Sequence, residues 1–216
     1  MIDVSLGIAV ILITAFGYFS NFLNWRYLNY RIIRLLYYVG AIVHETSHAI
    51  LCILTGSRIQ EFTVFSDQPH VVHGKSKLPF LGELLISLAP IAGGLFFLFL
   101  INHFCLKDYF VIPQFSIEES WQNILLGPLK LLSQINLLRW QSWVMIFLSF
   151  NAGAMLGPSV RDLKNVWPAL IILLFIKSPF LTGICLAALS LIFANIILQV
   201  AVILILKVLS IIWPWR

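Results

Sequence analysis

The chain has 216 residues, 60% of them apolar and only 11% charged, which is far less polar surface than a water-soluble domain of this size needs. Its mean hydropathy of +0.95 excludes a soluble enzyme, a nucleic-acid-binding domain and a disordered linker. The net charge of +5 comes from Lys and Arg scattered between apolar runs, as in the loops of a membrane protein.

At about 20 residues per crossing, the chain has room for about six helices and little else. The expected fold is one integral membrane domain over residues 1–216: an all-α polytopic protein with about six transmembrane helices and a small β-hairpin after the second. The first span runs from Val4 to Phe22. It follows only Met1-Ile2-Asp3, without a basic leader, and so reads as a permanent span rather than a cleaved signal peptide. Ile32 to Leu54 is the second span, stopping at Gly56. Arg58 to Lys77 is polar, and Ile59 to Phe65, a turn at Asp67-Gln68-Pro69 and Val71-Val72 have the pattern of a short hairpin.

Phe80 to Phe104 is the third span, with Pro90 and Gly93-Gly94 inside it. A membrane helix tolerates such breakers where its neighbours take up the freed backbone groups. Trp121 to Trp140 suits a helix lying at the interface, and Trp140 to Leu156 is a short fourth span. Gly157-Pro158-Ser159 breaks the chain and Asp162 follows. Val166 to Ile176 resumes the apolar pattern, Ser178-Pro179 interrupts it and Leu181 to Trp213 is a very long apolar run, so the chain after residue 165 crosses either as one long tilted helix or as two. In a six-span arrangement seven Lys and Arg fall on each side of the bilayer, so charge does not set the orientation. Cys52, Cys105 and Cys185 are far apart in sequence and read as small buried packing residues, not as a disulfide framework.

The chemistry-bearing residues are few. His44-Glu45-Thr46-Ser47-His48 is an H-E-x-x-H motif inside an apolar helix. Residues i and i+4 share a helix face, so both imidazoles can reach one metal ion, and Glu45 sits beside it as a proton acceptor. Chance places only about 0.003 such matches in a chain of this composition. A catalytic zinc usually has three protein ligands. Among the acidic residues Asp3, Glu61, Asp67, Asp108, Glu118 and Glu119 belong to tails or loops, which leaves Glu83 and Asp162 as candidates. Asp162 has a second reading, because Ser159-x-x-Asp162 ahead of an apolar run is also a helix-capping pattern. The residues alone divide Asp162 evenly between ligand and cap, with Glu83 a competitor for the third position.

His44-Glu45-x-x-His48 in a membrane helix, Ala89-Pro90-Ile91-Ala92-Gly93-Gly94 in the next span and an aspartate after a proline-containing break together resemble the site-2 protease family of intramembrane zinc metalloproteases. The resemblance spans a core from about residue 31 to 165 and implies one zinc ion held by His44, His48 and Asp162, with Glu45 as catalytic base. It implies membrane-protein substrates cleaved in or near their transmembrane segments. The aspartate is followed by Leu163 where the family usually has glycine, and there is no regulatory PDZ insertion, so the chain resembles a compact branch. The rival expectation is a membrane metal transporter or a protease-like scaffold, since His and Glu on one membrane helix also suit a metal pathway.

Four further expectations concern single residues. A strand edge at Glu61 to Phe65 offers main-chain pairing to an unwound substrate or else merely covers the site. His70 and His73 read as solvated loop residues and His103 as interfacial. Asn151, Asn195 and Gln199 read as interhelical hydrogen-bonding residues, with an outside chance that Asn151 holds the substrate's oxyanion. Substrate-binding residues, oligomeric state and the particular membrane are not specified by the sequence.

Overall fold

A computed structural model describes residues 6–27, 31–66, 69–111, 121–157, 159, 162, 164, 173–175 and 178–212. The chain is mostly helical. Helices α1 (Leu6–Tyr27) and α2 (Arg31–Leu54) lead into strands β1 (Ile59–Thr63) and β2 (His70–His73). Then come α3 (Leu81–Leu100), α4 (Trp121–Ser133), α5 (Trp140–Leu156) and α6 (Pro179–Ile212). The expected turn at Asp67-Gln68 and most of the apolar stretch Val166 to Ile176 lie outside the described residues.

Three described helices are long and apolar enough to cross a membrane, through Leu6–Asn24, Leu81–Cys105 and Phe180–Leu209. The sequence suggested six crossings. Helix α2 is diluted by the polar residues of its motif, and α5, with 17 residues, is only about 25 Å long against a hydrocarbon core of about 30 Å. Within the final apolar run, α6 is one helix of 34 residues. Cys52 and Cys185 are buried as expected, but Cys105 is exposed, because it ends a π-helical turn, Ile101–Cys105, that unwinds the end of α3.

Helix α5 is the hub, packed against α1, α2, α3 and α6. Its buried face combines Met145, Leu148, Met155 and Leu156 with the small or polar Ser142, Ser149, Asn151, Ala152 and Gly153. In lipid, apolar side chains gain little by facing one another rather than acyl chains, so close backbone approach and interhelical hydrogen bonds carry the packing. A Cβ on Gly17 of α1 would lie 2.7 Å from the Cα of Gly157, so the two segments meet backbone to backbone. The core joins Val10 and Ile13 of α1, Ile91 and Leu98 of α3, and Leu189 and Ile192 of α6 around α5.

Asn151, Asn195 and Gln199 do form interhelical bonds. Asn151 Oδ1 accepts from the Gly40 N–H at 2.8 Å, tying α5 to α2. Asn195 Nδ2 donates to the Phe150 carbonyl at 2.7 Å, and Gln199 Nε2 donates to Asn24 Oδ1 at 2.6 Å.

Helix α2 ends in a Schellman arrangement, with Gly56 at φ 69°, its N–H on the Ile53 carbonyl, and the Ser57 N–H on the Cys52 carbonyl. This sharp stop turns the chain into the antiparallel hairpin, whose register pairs Ile59 with His73 and Thr63 with His70. The hairpin's return is sewn back onto the helix end, since Ser57 Oγ donates to the Gly74 carbonyl and Ser76 Oγ to the Thr55 carbonyl. The strands are thereby fixed over the end of α2.

Candidate metal centre

One helical turn of α2 separates His44 from His48, and both are buried, each about 7% exposed. Their rings meet edge to face with centroids 4.9 Å apart, and the two Nε2 atoms are 3.2 Å apart. Asp162, beyond the end of α5, completes a triangle: Oδ1 lies 3.4 Å from His48 Nε2 and Oδ2 3.7 Å from His44 Nε2. These three are the group of His, Cys, Asp and Glu side chains, among the described residues, whose ligand atoms lie close enough to hold one ion.

The triangle fits a metal ion. His48 Nδ1 is 2.7 Å from the Ile86 carbonyl, which can only accept, so Nδ1 bears the proton and Nε2 of the neutral ring is an acceptor. Burial pushes the Asp162 carboxyl up, and the facing imidazoles of His48 and His44 more than offset this, holding it well below the usual carboxylate range. The His48 Nε2 acceptor and the Asp162 carboxylate thus face the same point as His44 Nε2. Separations of 3.2, 3.4 and 3.7 Å exceed the about 2.7–2.9 Å of a direct charge-assisted hydrogen bond. They bracket the about 3.3–3.4 Å edge of a tetrahedron with zinc–ligand bonds of about 2.0–2.1 Å.

Asp162 makes the capping contacts and also faces both histidines. Ser159 and Asp162 form the reciprocal capping pair: the Ser159 N–H donates to Asp162 Oδ2 at 2.7 Å, and the Asp162 N–H donates to Ser159 Oγ at 3.2 Å. The same carboxylate faces both histidines, so the cap orients it. Glu83 stands apart. Its Oε1 accepts from the Ser76 N–H at 3.0 Å, tying the hairpin's return to the first turn of α3.

A cavity of about 740 Å³ opens beside the triangle, lined by His44, Glu45, His48 and Asp162 on one side and by the hairpin and Glu83 on the other. His70 and His73, expected as solvated loop residues, are instead half-buried in β2, and both line this cavity. The hairpin lies across the site opening, and this draws them in. His70 Nε2 is 3.3 Å from Glu61 Oε1, and His73 Nδ1 is 2.9 Å from the Gly74 carbonyl. His103 is exposed and pairs with Asp108 at 3.0 Å, away from the cavity. Asn151 is spent on Gly40 and Phe147 and does not line the cavity. The Ile86 carbonyl escaped the sequence reading, because a main-chain acceptor leaves no mark in the residue type that carries it.

Residues 6–110 match the family model described as Peptidase M50B-like. This match supports a relationship to the site-2 protease family. This relation covers His44, Glu45, His48 and the Ala89–Gly94 element but ends well before Asp162. Asp162 lies outside the matched residues, and its position beside the two histidines is a feature of the geometry alone. At the level of the family, the relation indicates a membrane protease. No curated protein and no solved structure matches the chain.

Proposed function

We propose that this site-2-protease relative is an intramembrane zinc endopeptidase that hydrolyses peptide bonds in or near the transmembrane segments of other membrane proteins. The observation that carries the reading is the convergence of His44 Nε2, His48 Nε2 and Asp162 into a triangle of 3.2–3.7 Å edges beside Glu45 in one cavity. His44, His48 and Asp162 would hold one zinc ion. When bound, zinc supplies Lewis-acid chemistry, acidifying a water and polarising the scissile carbonyl.

Glu45 takes the proton as the water oxygen adds to the carbonyl carbon, then gives it to the amine nitrogen as the C–N bond breaks. The substrate helix must unwind first, since its own backbone hydrogen bonds shield the peptide bond. An exposed edge at Glu61–Phe65 offers the unwound segment main-chain partners of any sequence. In this reading the core runs from about residue 31 to 165. The protein is a multi-pass membrane protein in which α2 and α5 also cross. A transport pathway would need ligands spaced through the bilayer, whereas His44, His48 and Asp162 meet at one point.

The test pairs zinc content with cleavage of a membrane-helix substrate in proteoliposomes. Glu45→Gln is expected to keep one zinc per chain while cleavage falls by about 10²–10⁴-fold. Wild-type cleavage by Glu45→Gln overturns the mechanism, and metal flux that disappears in His44→Ala identifies a transporter instead.

A further inference from the structure

Pro90 lies inside α3. In an unbroken α-helix the N–H of residue 90 would donate to the carbonyl of residue 86, but proline has no N–H. The Ile86 carbonyl is therefore released from the helix ladder. Ile86 is about 1% exposed, and an unpaired carbonyl in an apolar bundle is costly. The group that takes it is the Nδ1–H of His48, at 2.7 Å. The other ring nitrogen, Nε2, is then the one aimed at His44 and Asp162.

Ile86, Pro90 and Gly93 fall at i, i+4 and i+7, on one stripe of α3. At Gly93 an added Cβ would collide with Ser47, in the turn between the two histidines. So α3 turns toward the ligand-bearing turn of α2 a released carbonyl, then a residue without an N–H, then one without a side chain. His44 shows the alternative, since its Nδ1 is buried with no hydrogen-bond partner among the described residues.

We propose that Pro90 is a positioning residue for His48: by lacking an N–H it leaves the Ile86 carbonyl to accept the Nδ1 proton of His48, which fixes the tautomer and aims Nε2 at the metal position. This rests on the metal-site reading above for its functional consequence, but the tautomer itself is a property of the metal-free chain. Pro90→Ala restores the N–H, which competes with His48 for the same carbonyl. Placing lactic acid at position 90 gives a main-chain ester with neither N–H nor ring, so it should behave as the wild type does.

The experiment reads the histidine ring nitrogens by ¹⁵N NMR in metal-free protein in detergent micelles, with His48 assigned by the signal lost in His48→Gln. Wild type should show a protonated Nδ1 and a bare Nε2, Pro90→Ala a mixture of tautomers, and the ester the wild-type pattern. Zinc affinity, from competition with a chelator, should fall about 10- to 100-fold in Pro90→Ala and recover in the ester. A neutral wild-type His48 ring that carries its proton on Nε2 and not on Nδ1 overturns the proposal even if Pro90→Ala does not fold. So does an unchanged tautomer in Pro90→Ala, and so does an ester that behaves like Pro90→Ala, because the ring's bend would then be what matters. Wild type that binds no zinc yet shows the tautomer switch would remove the metal-site reading and leave the Pro90–His48 link standing.

Discussion

Among the described residues, two buried polar clusters are built on opposite principles. Between α1, α5 and α6, donors alternate with acceptors: Ser20 Oγ donates to Asn195 Oδ1 at 2.5 Å and accepts from Gln199 Nε2 at 3.0 Å, while Asn195 Nδ2 reaches the Phe150 carbonyl. Beneath the hairpin, acceptors meet acceptors, with His48 Nε2 and the Asp162 carboxylate turned to the same point as His44 Nε2. Complementary groups close on each other and hold helices together. Convergent acceptors need a cation, and their burial makes that need strong. Polarity inside a membrane protein therefore does not by itself mark a functional site. The sign of the hydrogen-bonding groups does.

The sharpest way to break this comparison is to remove one acceptor from the convergent cluster. Asp162→Ala is expected to lose the zinc ion and, with it, essentially all cleavage, whereas Glu83→Ala keeps one zinc, because Glu83 is engaged with Ser76. Elemental analysis of the purified variants decides it. Zinc retained in Asp162→Ala, or lost only in Glu83→Ala, would move the third ligand.

Matched glycines sharpen the contrast. An added Cβ at Gly93 meets Ser47 in the convergent cluster, and one at Gly153 meets Ser20 in the alternating one. Both Gly93→Ala and Gly153→Ala should cost about 1–3 kcal/mol by overpacking, seen as lower melting temperatures in detergent. Only Gly93→Ala should also weaken zinc binding, since Ser47 lies in the turn that carries both histidines. Equal zinc affinity in the two variants would mean that α3 does not help to shape the site.

How much of this was legible in the sequence follows the same division. The H-E-x-x-H spacing and the bounds of α5, Trp140–Leu156, are local, and local pattern sufficed for them. The hairpin was legible because β-branched residues and turn formers alternate there. What required three dimensions was anything with two partners. Asp162 looked like a choice between cap and ligand because a capping pattern spans four residues, while the histidines lie more than a hundred residues away. His70 and His73 seemed solvated because nothing in their own segment reveals that the hairpin lies across a cavity. The six-span expectation counted apolar length alone, and α5, at 17 residues, is too short for length to settle the matter.

A smaller effect is expected at Ser159, which is hydrogen-bonded to Asp162. Ser159→Ala removes the acceptor for the Asp162 N–H, at a cost of about 0.5–2 kcal/mol for a lost cap. The carboxylate remains but loses part of its orientation, so zinc affinity should fall by about 10-fold, as for other supporting partners of a metal ligand. Ser159→Thr should restore it. A chelator titration across the three proteins checks the order, and no difference between Ser159→Ala and wild type would mean that the cap is incidental to the ligand.

The smallest effect should come from the alternating cluster itself. Asn195→Ala removes the acceptor for Ser20 and the donor to the Phe150 carbonyl. Interhelical hydrogen bonds in membrane proteins are worth only about 0.6 kcal/mol on average and about 1.7 at most, since the separated helices find other partners in the membrane. The melting temperature should therefore drop slightly, with zinc content and cleavage unchanged. Ser20 keeps Gln199 as a partner, which limits the loss further. Loss of zinc in Asn195→Ala would show that the two clusters are coupled through α5, whose Phe150 meets Asn195 and whose Asn151 meets Gly40, one turn before His44. The distinction between a cluster of complementary groups and a cluster of convergent acceptors would then have to give way to one continuous polar network.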